Sequence, residues 1–203
     1  LPLSGPLDGG TLLAITSSKP FAHGASLYCH FDAGGALMAS IARLERPDTI
    51  HCTTPRVATS GYANLHVGAS DVMVRAALTA PTAFRFHPAA CLLSLLPTRG
   101  SPRGGTRVTV SGIALVTTRP DTLGMLRCCF NTTLVVATYL TPRTLVCEAA
   151  ANHDAGFVEV AISSNGGYDV AVESLLYEYK WQQLRDISPL TGPGRGGTVI
   201  QIR

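Results

Sequence analysis

The sequence predicts an all-β chain made of tandem β-sandwich units. Three observations carry that prediction. One turn motif recurs at a fixed period, apolar residues alternate between the turns, and cysteines fall into matched pairs.

The motif sets the period. Pro2-Leu3-Ser4-Gly5-Pro6-Leu7-Asp8-Gly9-Gly10-Thr11 returns as Pro97-Thr98-Arg99-Gly100-Ser101-Pro102-Arg103-Gly104-Gly105-Thr106. It returns again as Pro189-Leu190-Thr191-Gly192-Pro193-Gly194-Arg195-Gly196-Gly197-Thr198. The Gly-Gly-Thr triplets are offset by 95 residues (10 to 105) and 92 residues (105 to 197). A unit of about 93 residues is the size of a β-sandwich and too long for a solenoid repeat. The expected organisation is residues 1–88, residues 89–180, and the first strands of a third unit in 181–203. Within the motif, Pro ends one strand, the paired glycines permit a positive φ in a tight turn, and Thr opens the next strand.

Strands follow from period-two patterning. Val158, Val160 and Ile162 alternate with Glu159 and Ala161, and Val108 and Val110 with Arg107 and Thr109. Phe84 and Phe86 flank Arg85, and Tyr177 and Tyr179 flank Glu178, each pair near the end of its unit. The segment Leu37 to Arg46 is Ala-rich and the best helix candidate, but it lies where a sandwich needs a strand or crossover. A strand is the favoured reading there.

Six cysteines complete the pattern. Cys29-His30-Phe31 matches Cys128-Cys129-Phe130, and Ile50-His51-Cys52 matches Leu145-Val146-Cys147. Each unit thus holds its own pair, Cys29 with Cys52 and Cys128 with Cys147. Matched pairs at matched places point to disulfides and an oxidising compartment. Each would close a loop of about 20 residues and contribute about 3 kcal/mol. The alternative is buried reduced thiols. Cys91 and Cys129 remain; Cys129 faces away from Cys128 and could pair with Cys91, stay free, or link to another chain.

These residues carry a resemblance. The opening motif, the Cys-x-Phe, the later Cys and the run Ser164-Asn165-Gly166-Gly167-Tyr168 resemble IPT/TIG domains, found in plexins, fibrocystin and protist surface proteins. The resemblance covers essentially the whole chain and implies early-set immunoglobulin-like sandwiches. There are departures. Pro55 stands three positions after Cys52, as in the family, but Ala150 stands there after Cys147. Unit one has Val67-Gly68-Ala69-Ser70-Asp71 in place of the Ser-Asn-Gly-Gly run.

Composition narrows the function. Charged residues are 14% of the chain, below the usual ~25%, and the 16 basic and 13 acidic side chains leave a net charge of +3. That balance argues against nucleic acid or an anionic membrane as partner. No apolar run reaches the ~18–20 residues of a membrane span. Both ends read as cuts through a longer chain.

Other motifs are weaker. Gly192-Pro193-Gly194-Arg195-Gly196-Gly197 matches a dinucleotide fingerprint in letters, but a β-branched run follows where a helix is needed. His30 and His51 adjoin Cys29 and Cys52, yet neighbouring strand residues face opposite ways, so two surface histidines are favoured over a zinc site. Gly24-Ala25-Ser26-Leu27-Tyr28 lacks the final Gly of a nucleophile elbow. Asp121, Asp154 and Asp169 form no calcium-loop pattern. Asn131-Thr132-Thr133 is an N-glycosylation sequon. Arg99, Arg103 and Arg107 form a small basic edge, and Trp181 is expected to pack between units two and three.

The expected function is a non-catalytic structural or adhesive array in an extracellular or cell-surface glycoprotein, as in a stalk, filament or ciliary coat. No cofactor or metal is expected. The expected partners are other domains of the same chain, protein partners or self-assembly, and glycans. The alternatives are a plexin-like ligand-binding ectodomain and, less favoured, the dimerisation domain of an intracellular transcription factor.

Overall fold

The computed structural model describes residues 2–21, 26–69, 82–115, 124–152, 154–181 and 185–202, and none of these lies in an α-helix. The first unit comprises β1 (Ser4–Pro6), β2 (Leu12–Thr16), β3 (Leu27–Ala33), β4 (Ala36–Arg46), β5 (Thr49–Thr53), β6 (Gly61–Gly68) and β7 (Thr82–His87). They pair in the order β1-β7-β6-β3-β4-β5-β2. β4 explains the architecture. Its residues Ala36–Ala42 pair with β3, and Arg43–Arg46 pair with β5, so one strand passes from one sheet into the other. The Ala-rich stretch is therefore a strand because a partner satisfies its backbone along each part of its length.

The second unit repeats this plan with β8 (Cys91–Leu96), β9 (Arg99–Gly100), β10 (Arg107–Ile113), β11 (Arg127–Phe130), β12 (Thr133–Thr141), β13 (Thr144–Glu148), β14 (Gly156–Ser163) and β15 (Leu175–Tyr179). Their order is β8-β10-β13-β12-β11-β14-β15-β9, with β12 crossing between sheets as β4 does. Beyond it, β16 (Ile187–Ser188) and β17 (Gln201–Ile202) form a two-stranded ribbon.

Each unit has its own core. In the first, Leu13, Phe31, Ile50, Val67, Phe84 and Phe86 are buried, with the Phe84 and Phe86 rings edge-on at 4.9 Å. In the second, Tyr177 and Tyr179 take the place of that pair among Val108, Leu145, Val160 and Ile162. A buried Tyr needs an outlet for its hydroxyl. Tyr179 donates to the Ala150 carbonyl at 2.6 Å, and burial pushes its phenol up to about 12. Cys29 on β3 is bonded to Cys52 on β5, and Cys128 on β11 to Cys147 on β13. Each bridge ties the two sheets of its own sandwich together.

The geometry also explains the recurring glycines. Gly9, Gly10, Gly104, Gly105, Gly196 and Gly197 all have φ between 75° and 87°. Gly5, Gly100 and Gly192 matter for a different reason: a Cβ on each would collide with the Thr11, Thr106 and Thr198 side chains respectively. The motif thus folds the closing Thr back onto its first Gly. Gly100→Ala forces this contact apart beside Tyr177 and is expected to cost about 1–3 kcal/mol of the second unit's stability. The midpoint of denaturant unfolding measures it, and an unchanged midpoint refutes the packing role.

One expectation is corrected. His30 is not a surface residue; it is only 2% exposed. The His66 ring on β6 stacks against it at 5.3 Å, and Gly68, lacking a Cβ, leaves room for its Nε2. His51 stays partly exposed, with Nδ1 3.1 Å from a Glu45 carboxylate oxygen.

Candidate functional site

The polar groups that converge most tightly lie between the two units. They begin at Ser163, the last residue of β14, and run through Asp169. Gly166 and Gly167 take φ of 84° and 102°, which lets the chain reverse within this short loop. The loop is held first by its own bonds. Ser163 Oγ donates to Asn165 Oδ1 at 3.0 Å and accepts from the Gly167 amide at 2.8 Å. The Asp169 amide donates to Asn165 Oδ1 at 2.9 Å, and the Gly166 amide donates to the Met125 carbonyl at 2.8 Å.

The loop then reaches the first unit. Asn165 Nδ2 donates to the Ser4 carbonyl at 3.0 Å and to Asp169 Oδ2 at 2.8 Å, so both its hydrogens are used. Asp169 Oδ2 accepts a second bond, from Thr11 Oγ1, at 2.6 Å. Ser4, Thr11 and Asn165 are all buried, Thr11 completely. The recurring motif of unit one, which contains Ser4 and Thr11, is therefore also the docking surface for unit two. A third contact sits at the linker. His87 ends β7, its Nδ1 lies 2.9 Å from the Pro88 carbonyl, and its Nε2 lies 3.2 Å from Ser164 Oγ. A carbonyl only accepts, so Nδ1 carries the proton and Nε2 accepts from Ser164.

The electrostatics of His87 make the joint sensitive to acid. Burial is the largest influence and lowers its pKa from 6.5. The Pro88 carbonyl and Asp169 pull the other way, and Arg85 adds to the lowering. A solvated imidazole therefore takes up a proton more readily than His87 does in this setting. The contribution of His87 to docking is complete above pH 6.5 and is lost as pH falls through the lowered value. Interdomain order measured by NMR between about pH 7.5 and about pH 5 should decline, and His87→Gln should flatten that profile. A profile unchanged by His87→Gln would refute the assignment.

The arrangement is not catalytic in form. Ser164 and His87 make a Ser–His pair, but the other imidazole nitrogen faces a carbonyl and not the carboxylate a triad uses. A cleft of about 330 Å³ lies beside the joint, with Asp8, His87, Tyr168 and Val172 on its walls. Among the described residues, no group of three or more His, Cys, Asp or Glu side chains is placed to hold a metal. No described helix is long and apolar enough to cross a membrane.

The remaining candidates are dispersed. Cys91 and Cys129 carry free thiols. A hydrogen bond to Glu173, then burial, raises the Cys91 thiol above its ordinary pKa; burial alone does so for Cys129, whose Sγ donates to the Asn131 carbonyl at 2.9 Å. Asn131 is exposed, in the two-residue turn between β11 and β12, with φ of 55°. Arg99, Arg103 and Arg107 are exposed. Trp181 is 49% exposed, and the Arg103 guanidinium lies 6.0 Å from its ring centroid. Asp154 is exposed, whereas Asp121, Gly24, Ala25, Ser70 and Asp71 lie outside the described residues.

Two sandwiches of this topology, each bridged across its sheets, define an immunoglobulin-like module protein. Residues 90–179 match the family model of the IPT/TIG domain, and the second unit is an IPT/TIG domain. Plexin-A4 of Homo sapiens and plexin-A4 of Mus musculus are each 30% identical over 115 residues, which is 55% of this chain. The chain spans about 6% of the length of those relatives. A solved structure of the plexin A4 full extracellular region, domains 1 to 10, shares 17% identity, with a TM-score of 0.51 over 95% of this chain and 18% of that one. At that identity the likeness shows the fold.

Sequence reasoning picked out Asn165 within the Ser-Asn-Gly-Gly run and Asp169 as a loop residue, and missed that both dock on unit one. Ser4 and Thr11 were missed as their partners, and His87 as the partner of Ser164. The signal available was weak: a buried-type Asn between Ser and paired glycines, and a His at the domain boundary between Phe86 and Pro88.

Proposed function

We propose that this chain is a non-catalytic, stiff segment of a larger extracellular or cell-surface glycoprotein. In this reading its two immunoglobulin-like units act as one rigid spacer that positions neighbouring domains of the same protein. The observation that carries the reading is the buried hydrogen-bonded joint from Asn165 and Asp169 to Ser4 and Thr11. A flexible linker would leave those groups to water; here Ser4, Thr11 and Asn165 are buried, Asp169 is half-buried, and they are paired with one another. The two bridges fit an oxidising compartment, and the plexin-A4 relatives fit an extracellular setting. Trp181, beneath Arg103, is the proposed start of the next joint.

A plexin-like ligand-binding ectodomain is the second reading, supported by the same relatives. The two readings share the rigid joint and differ in whether an outer face takes a partner. Rigidity in solution tests their common part: both units tumbling as one body is the expected result, and independent tumbling contradicts it.

A further inference from the structure

The outer face of the second unit breaks the usual pattern of a one-sided sheet. Antiparallel partners point to the same side, so the register sorts the residues. Cys128, Phe130, Val160 and Tyr177 face the core. Their neighbours Cys129, Leu134, Glu159, Phe157 and Leu176 therefore face out. Such a face is ordinarily polar. Here Phe157 is 69% exposed, Leu176 61%, Leu134 42% and Val136 64%. Phe157 and Leu176 are diagonal neighbours on this surface, separated from Leu134 by the buried Cys129 and Ala161, and an exposed apolar pair of that kind marks a covered or binding surface.

The candidate cover is attached at its edge. The Asn131 turn closes the β11–β12 hairpin on this sheet, and its backbone amide donates to the Glu159 carbonyl at 2.8 Å. Asn131 thus sits beside Glu159, which pairs with Leu176 and lies two residues from Phe157. At about 4.8 Å between strands and about 3.3 Å per residue, the Asn131 and Phe157 backbones are about 8 Å apart. That is within the span of the first two sugars of an N-linked chain. A sugar ring has one face of C–H groups that packs on an aromatic ring, and hydroxyl edges that bond to carboxylates such as Glu159 and Glu178.

We infer that an N-glycan on Asn131 folds back over Phe157 and Leu176 and covers the outer sheet face of the second unit. The inference rests on the extracellular reading above, since only a secreted chain meets the glycosylating enzymes. It gives the sequon a structural task, keeping an apolar face dry that would otherwise pair with another molecule. It also directs partner binding away from this face.

The test uses the whole chain secreted from a glycosylating eukaryotic host. Peptide mass mapping reads whether Asn131 carries a glycan. Native enzymatic trimming of that glycan should then raise binding of the dye ANS about twofold or more, and Phe157→Ser should abolish most of that rise. Amide exchange in β14 and β15 should quicken on trimming, near Phe157 and Leu176. An occupied Asn131 with unchanged dye binding and exchange on trimming overturns the cover while leaving the extracellular reading intact. An unmodified Asn131 in secreted protein overturns the cover too. Free thiols at Cys29, Cys52, Cys128 and Cys147 in the same mass map would instead overturn the extracellular reading.

Discussion

Asn165→Ala releases the two units from one another while leaving each folded. The side chain supplies both hydrogens of the central bonds, to the Ser4 carbonyl and to Asp169 Oδ2, and its Oδ1 accepts from Ser163 and the Asp169 amide. Truncation takes away the partner of the Ser4 carbonyl and of the Asp169 amide, at about 1–3 kcal/mol for each unsatisfied group, while Asp169 Oδ2 keeps Thr11 and Ser163 Oγ keeps the Gly167 amide. Bonds within the loop and bonds between units are lost together, so the loop loses shape as well as grip. The expected readout is a drop in the shared rotational correlation time in NMR relaxation, with each unit keeping its own spectrum. Asp169→Asn should act more weakly, because an amide oxygen still accepts from Thr11. Tyr168→Ala should do little, since that ring is 58% exposed and outside the bonded network. Equal effects from Asn165→Ala and Tyr168→Ala would contradict the assignment.

Loss of a disulfide is the second large effect, and it stays within one unit. Cys128 and Cys147 lie 19 residues apart in sequence, are buried at 0% and 1%, and bridge the sheets through the centre of the second core. The double change Cys128→Ala, Cys147→Ala should cost that unit about 3 kcal/mol. The same change at Cys29 and Cys52, 23 residues apart, should cost the first unit a similar amount. Denaturation followed by separate probes, Trp181 fluorescence beside unit two and amide exchange in unit one, should show one midpoint moving while the other holds. Coordinated loss of both units from one broken bridge would mean that the cores are not independent. The cores share no member, which is why separate midpoints are expected.

The all-β fold was legible because local chemistry repeats. A Gly-Gly-Thr turn needs a positive φ that glycine supplies, and it stands before each β-branched or aliphatic run wherever the chain starts a sandwich. Alternation around Val108 and Val158 sorted the core from the outer face for the same local reason. The burial of His30 was not legible, because alternation along β3 placed it outward, and its contacts with the cross-strand His66 ring, the Tyr28 ring and Gly68 form only in the folded sheet. The joint was not legible either. Asn165 and Ser4 are separated by 161 residues, and Thr11 and Asp169 by 158. No periodic signal links positions that far apart. The Ser-Asn-Gly-Gly run read as a hairpin feature because its inward bonds, to Ser163 and Gly167, are those of any tight loop. Its outward bonds exist only once a second sandwich is present.

The central claim is that this loop locks two immunoglobulin-like units into one rigid body. Residual dipolar couplings measured separately for β1–β7 and β8–β15 test it most directly. The account predicts that both sets fit a single alignment tensor at neutral pH and require two tensors in Asn165→Ala. Two distinct tensors in the unaltered chain at neutral pH would contradict it.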